Sequence, residues 1–102
     1  MNSPTDVVLS WREKQNSYFD AALAYCELQM PEYAEAELDK IDHRAAQSVP
    51  VLALRLIISY NRKEWSQMKT FAQTLLQLEP SNPKWPYSDG YATARIESIT
   101  DQ

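Results

Sequence analysis

Apolar positions recur along most of this chain at intervals of three and four residues, the spacing that gathers them on one face of an α-helix. Val8, Trp11, Tyr18, Ala22, Tyr25 and Leu28 form the first series. They predict a helix over about 14–29. Ser3 as N-cap, Pro4 in the first turn and Asp6 just inside it extend the start back to about residue 4. Residues 1–14 are therefore an N-terminal arm or an extension of this helix. Pro31 breaks the series and suits the opening turn of a second helix, with Tyr33, Ala34, Leu38 and Ile41 as its apolar stripe. That helix is expected to end near His43 and Arg44, whose cations suit the negative end of the helix dipole.

Ser48 and Pro50 repeat the start signal for a third helix over about 51–60. It is apolar nearly all round and so is expected at the buried centre. After the polar connection Asn61-Arg62-Lys63, the positions Trp65, Met68, Phe71, Ala72, Leu75 and Leu78 mark a fourth helix. Pro80-Ser81-Asn82-Pro83 reads as a stop followed by a start. A fifth helix then runs from about 84 to 99, with an irregular first turn at Pro86 and Gly90 and a frayed tail over 100–102.

Length and composition agree with an all-α fold. A chain of 102 residues is one small domain, and folding would hide roughly two thirds of its extended surface. A single Gly rules out Rossmann and P-loop phosphate sites, the G-x-S-x-G nucleophile turn and a glycine-rich β-sandwich. One Cys and one His are too few for a structural zinc site, and no disulfide can close within the chain. A net charge of −4 argues against a nucleic-acid partner held through phosphates. No apolar run approaches the ~20 residues that span a bilayer. The N-terminus lacks the basic leader of a signal peptide, so a cytoplasmic protein with no membrane partner is expected.

Residue types suited to catalysis are scarce, and neither an enzyme nor a cofactor is expected. His43 sits between Asp42 and Arg44 at a helix end, where capping explains it. Cys26 reads as a small buried hydrophobe. Trp11, Trp65 and Trp85 read as packing anchors, with Trp11 exposed if the N-terminal arm is free. Charge is uneven: residues 1–51 carry a net −5 and residues 52–102 a net +1. The acidic positions Glu32, Glu35, Glu37, Asp39 and Asp42 read as a solvated helix face, with docking of a basic partner or head-to-tail self-association as the alternative.

The segments also repeat. At an offset of 34 residues Ala34 aligns with Met68, Leu38 with Ala72, and Ile41 with Leu75. Ala22, Leu56 and Gly90 align at the same spacing, where paired helices approach closely. Tyr18, Ala21-Ala22 and Tyr25 follow the first-helix spacing of tetratricopeptide repeats, and Ala34, Leu38 and Ile41 follow the second. Leu78-Glu79-Pro80-Ser81-Asn82-Pro83 with Trp85 is similar to that family's repeat junction. The chain thus resembles a tetratricopeptide-repeat protein, with repeats over about 15–48 and 49–82 and a closing helix over 83–99. It departs from the pattern at Leu56, at Ala46 in place of a junction proline, at Trp85 one place early, and at Pro86.

The resemblance implies a helical-hairpin solenoid of about five antiparallel helices, whose first helices line a concave surface that holds a peptide or helix of another protein. On this sequence that surface draws Asn16, Phe19, Leu23 and Glu27 from the first helix. The third helix supplies Ala53, Ile57, Tyr60 and Asn61, and the closing helix supplies Lys84, Tyr87, Tyr91 and Arg95. The family's clamp for an acidic C-terminal carboxylate is not expected, because Phe19, Leu23, Leu54 and Ser88 stand at four of its positions and only Lys84 matches. The implied role is a non-catalytic adaptor- or chaperone-type module that takes an amphipathic helix or apolar segment in an aromatic groove. Two alternatives stand beside it. Phe19, Leu23 and Ile57 could complete the core, or the same face could close a homodimer.

Overall fold

A computed structural model of the chain describes the backbone of residues 4–100 and the side chains of residues 11–99. The Ser3 cap and the tail beyond Thr100 lie outside the described residues. The described residues are helical and contain no strand. In chain order the helices are α1 (Pro4–Glu27), α2 (Pro31–Leu38), α3 (His43–Ala46), α4 (Val49–Asn61), α5 (Trp65–Leu78) and α6 (Lys84–Thr100). They fall into two compact units, Met1–Gln47 and Ser48–Gln102.

In the first unit α2 packs against α1. Ala22, Ala34 and Leu38 are fully shut off from solvent, and Ile41 nearly so. Here the structure corrects the expected second helix. It stops at Leu38 rather than running to His43–Arg44, and those two residues open α3 instead. Asp42 explains the change: its Oδ1 accepts the Arg44 backbone N–H at 2.9 Å, an N-cap that starts a new helix where the dipole argument anticipated an end. Six helices therefore replace the expected five among the described residues.

Trp11 is not a free anchor on a loose arm. Helix α1 is continuous from Pro4, and the Trp11 ring is half-buried. Its Nε1–H donates to Asp42 Oδ2 at 3.3 Å, while the Arg44 guanidinium lies 4.9 Å from the ring centroid. The Asp42 backbone N–H donates to Gln15 Oε1, which ties the α3 cap to α1. Arg44, through its side chain and then its backbone N–H, holds the Asp42 carboxyl well below the usual carboxylate range, with Trp11 adding to the effect.

In the second unit α5 carries the cleanest stripe: Trp65, Met68, Ala72 and Leu75 are buried. Helices α4 and α6 both pack on it. Leu52 and Leu56 come from α4, and Trp85 and Ala92 from α6. Ala72 and Ala92 expose nothing to solvent, and their small side chains let α5 and α6 approach closely. Ser48 takes the extended conformation of an N-cap, but its hydroxyl makes no cap hydrogen bond.

Helix α6 is regular from Lys84, contrary to the irregular start expected at Pro86 and Gly90. Pro86 falls in the first turn, where its missing N–H would have had no helical acceptor anyway. Gly90 does not mark a close helix approach. A Cβ added there would meet nothing within 4 Å.

The 34-residue recurrence is visible in the turns. Helices α1 and α4 end at Glu27 and Asn61, and α2 and α5 begin at Pro31 and Trp65. Gln29 and Lys63 both sit in the left-handed region with φ 59°. Around each, the same pair of hydrogen bonds closes the helix. Gln29 N–H donates to Cys26 O and Met30 N–H to Tyr25 O, at 3.0 and 2.9 Å. Lys63 N–H donates to Tyr60 O and Glu64 N–H to Ser59 O, at 3.1 and 2.9 Å. This is the Schellman closure, usually made with glycine at the left-handed position. A chain with one glycine places Gln and Lys there, at a backbone cost of the order of 1 kcal/mol each.

Candidate functional site: an aromatic groove between α4 and α6

Two cavities of about 240 and 330 Å³ open between α4 and α6 and share Leu56, Ile57, Tyr87 and Ser88, so they are two stretches of one groove. Helical phase makes its walls. On α4, Ala53, Ile57 and Tyr60 follow at i, i+4 and i+7, one step round from the core-facing Leu52 and Leu56. On α6, Lys84, Ser88 and Tyr91 repeat the same interval, with Tyr87 beside them. Met68 of α5 lines the stretch nearer Tyr60, and Trp85 the stretch nearer Lys84.

Several large apolar side chains here are wet. Ile57 and Tyr60 each keep 46% of their surface exposed, and Tyr87 keeps 75%. At one end Tyr60, Trp65 and Tyr91 form a cluster with ring centroids 5.7–6.1 Å apart and tilted or edge-on planes. The Arg95 guanidinium covers it, 5.2 Å from the Trp65 centroid and 5.8 Å from that of Tyr91. Trp65 is buried beneath, so the cluster joins the groove to the core of its unit.

The other end is fixed by the segment between α5 and α6. Glu79 Oε1 accepts from Trp85 Nε1–H at 2.9 Å and from Asn82 Nδ2–H at 3.1 Å. Asn82 Oδ1 in turn accepts the Lys84 backbone N–H at 3.0 Å, an Asx turn that feeds the chain into α6. The Trp85 bond, followed by that from Asn82, lowers the Glu79 carboxyl below its ordinary value. A carboxyl lowered by folding contributes stability that is present above its unfolded value, near 4.5, and is lost as pH falls through the folded value. The second unit is accordingly expected to lose stability as pH drops below about 4.5. Glu79→Gln should flatten that part of the profile, as chemical denaturation at a series of pH values will read. An identical acid profile for Glu79→Gln would remove this anchor from the account.

Of the residues assigned from the sequence, Ile57, Tyr60, Tyr87 and Tyr91 come together on this groove, and Arg95 caps its aromatic end. Asn61 is the exposed last residue of α4 and lines neither cavity. Phe19 and Leu23 belong to the first unit, one turn apart on α1, half-buried and 40% exposed respectively. Sequence reasoning missed the part Trp65 takes in the aromatic cluster. Its position at the start of the apolar stripe of α5 marks it as core, and only the tertiary packing brings Tyr91 to its edge.

The other reactive side chains lie elsewhere. Burial, and next Glu27, push the half-buried Cys26 thiol upward, away from the thiolate form. His43 is exposed on α3, with Nδ1 3.4 Å from Asp42 Oδ1. No cluster of three His, Cys, Asp or Glu among the described residues could hold a metal ion, and no described helix is long and apolar enough to cross a membrane. Compared with known proteins, the chain matches no family model, no curated protein and no solved structure.

Proposed function

We propose that this chain is a short tetratricopeptide-like helical repeat that works without catalysis in the cytoplasm, holding a peptide or amphipathic helix of another protein in the α4–α6 groove. The observation that carries this reading is the strip of exposed Ile57, Tyr60, Tyr87 and half-buried Tyr91 along a cleft whose floor is well packed. Large apolar side chains held open to water on rigid helices lose their hydration cost only when something covers them. The solenoid reading draws support from the twin Schellman turns 34 residues apart. At that interval Leu23, Ile57 and Tyr91 are equivalent, as are Phe19, Ala53 and Tyr87. Phe19 and Leu23 thereby take the inner-wall role in the first repeat.

A labelled amphipathic peptide with a leucine stripe and uncharged flanks tests the reading by fluorescence anisotropy. Ile57→Ala combined with Tyr87→Ala removes two exposed side chains and leaves the core intact. It is expected to weaken binding at least about tenfold. Unchanged affinity would defeat the proposal. Sedimentation of the chain alone separates the rival use of this face: a mass that rises with concentration would assign the groove to a second copy.

A further inference from the structure

Resting on the groove reading above, we infer that its occupant is a helix with carboxylates at both ends of a short apolar stripe. On α6, Lys84, Ser88, Tyr91 and Arg95 stand at i, i+4, i+7 and i+11 and so share one face. The two cations therefore bracket the aromatic part of the wall, about 16 Å apart along the helix axis. Lys84 lines the larger cavity, and Arg95 lies over Trp65 and Tyr91 while remaining exposed. A guanidinium stacked on rings still presents N–H donors along its edge, in the fork that fits a carboxylate.

Among the described residues no acidic side chain lines the groove itself, and the sequence of α4 contains none. Glu79, just after α5, acts electrostatically on Lys84 from outside it, with its carboxylate already held by Trp85 and Asn82. Asp89 of α6 approaches Lys69 of α5 at 3.8 Å, and Glu64, just beyond α4, pairs with Arg62 at 2.7 Å. Glu97 lies two residues past Arg95, about half a turn round the helix from this face. The apolar floor asks for a buried stripe and the cations ask for acid just outside it. In a helical partner lying along α6, that means apolar residues over about two turns, with Asp or Glu roughly eleven residues apart at their margins. A lysine-flanked helix would set like charges against both ends.

Three blocked synthetic peptides test this, identical in their leucine stripe and carrying Glu, Gln or Lys at both margins. Titrated calorimetrically into the full chain at low salt, the Glu-flanked peptide is expected to bind roughly fivefold more tightly than the Gln-flanked one. The Lys-flanked peptide should bind more weakly by a similar factor, and the differences should close at about 0.5 M salt. Lys84→Glu, a change at an exposed position, should remove most of the preference for Glu over Lys margins. Arg95→Gln is the second variant, checked for retained fold by circular dichroism because Arg95 stacks on the core tryptophan. Equal affinity of the three peptides, or a preference untouched by Lys84→Glu, overturns the acidic assignment and leaves the apolar groove standing. Failure of all three to bind overturns both.

Discussion

Replacing Trp65 with alanine is expected to destabilise the second unit by about 3–5 kcal/mol, the cost of truncating a buried tryptophan. Trp65 opens α5 and exposes only 9% of its surface. It packs edge-on to Tyr60 and Tyr91 and carries the Arg95 guanidinium. The alanine variant therefore loses core area and also the backing of the aromatic end of the groove. Trp65→Phe retains a ring in the site and should cost far less. Hydrogen exchange at the amides of α4, α5 and α6 reads both effects. A loss below about 1 kcal/mol for the alanine variant would mean that this ring is not part of the core.

The second large effect lies in the first unit. Leu38→Ala should cost about 3 kcal/mol and strip exchange protection from α2. An eight-residue helix has little stability of its own in water, and α2 buries Ala34 and Leu38 fully, with Tyr33 adding a ring contact to Tyr25 of α1 at 5.4 Å. Deleting the larger leaves a cavity where the helix ends. Protection of the α2 amides that survives Leu38→Ala would show that α2 is held by something other than this contact.

Much of the helical content was legible because the core stripes are long and regular. The apolar series of α5, from Trp65 through Leu75, and the proline-marked starts at Pro31 and Pro50 place their helices within a few residues of the observed bounds. The early end of α2 was hidden by the continuing apolar pattern at Ile41, which is buried but lies in the turn after the helix. The Asp42-His43-Arg44 sequence held the clue, since an aspartate before a short polar segment is an N-cap signal that competes with the dipole preference of the two cations. The closures at Gln29 and Lys63 could not be read from residue type, because their usual marker is glycine and neither position has it.

The groove was legible in part. Period 3.6 puts Ile57 and Tyr60 on one side of α4, and Tyr87 and Tyr91 on one side of α6. That pattern alone does not distinguish a wall from a core face. Exposure decides it: Leu56 is 6% exposed and its neighbour Ile57 46%. The Glu79–Trp85–Asn82 anchor escaped sequence reading for a different reason. It depends on a tight turn folding a carboxylate back onto an indole N–H six residues on.

The most direct measurement is a backbone amide titration by nuclear magnetic resonance, with the uncharged-flank leucine peptide added to the isotopically labelled chain. Shifts are expected to gather on residues 53, 56, 57 and 60 of α4 and 87, 88 and 91 of α6. Shifts confined to α2 and α3, or none at peptide concentrations that saturate comparable grooves, would contradict the groove reading.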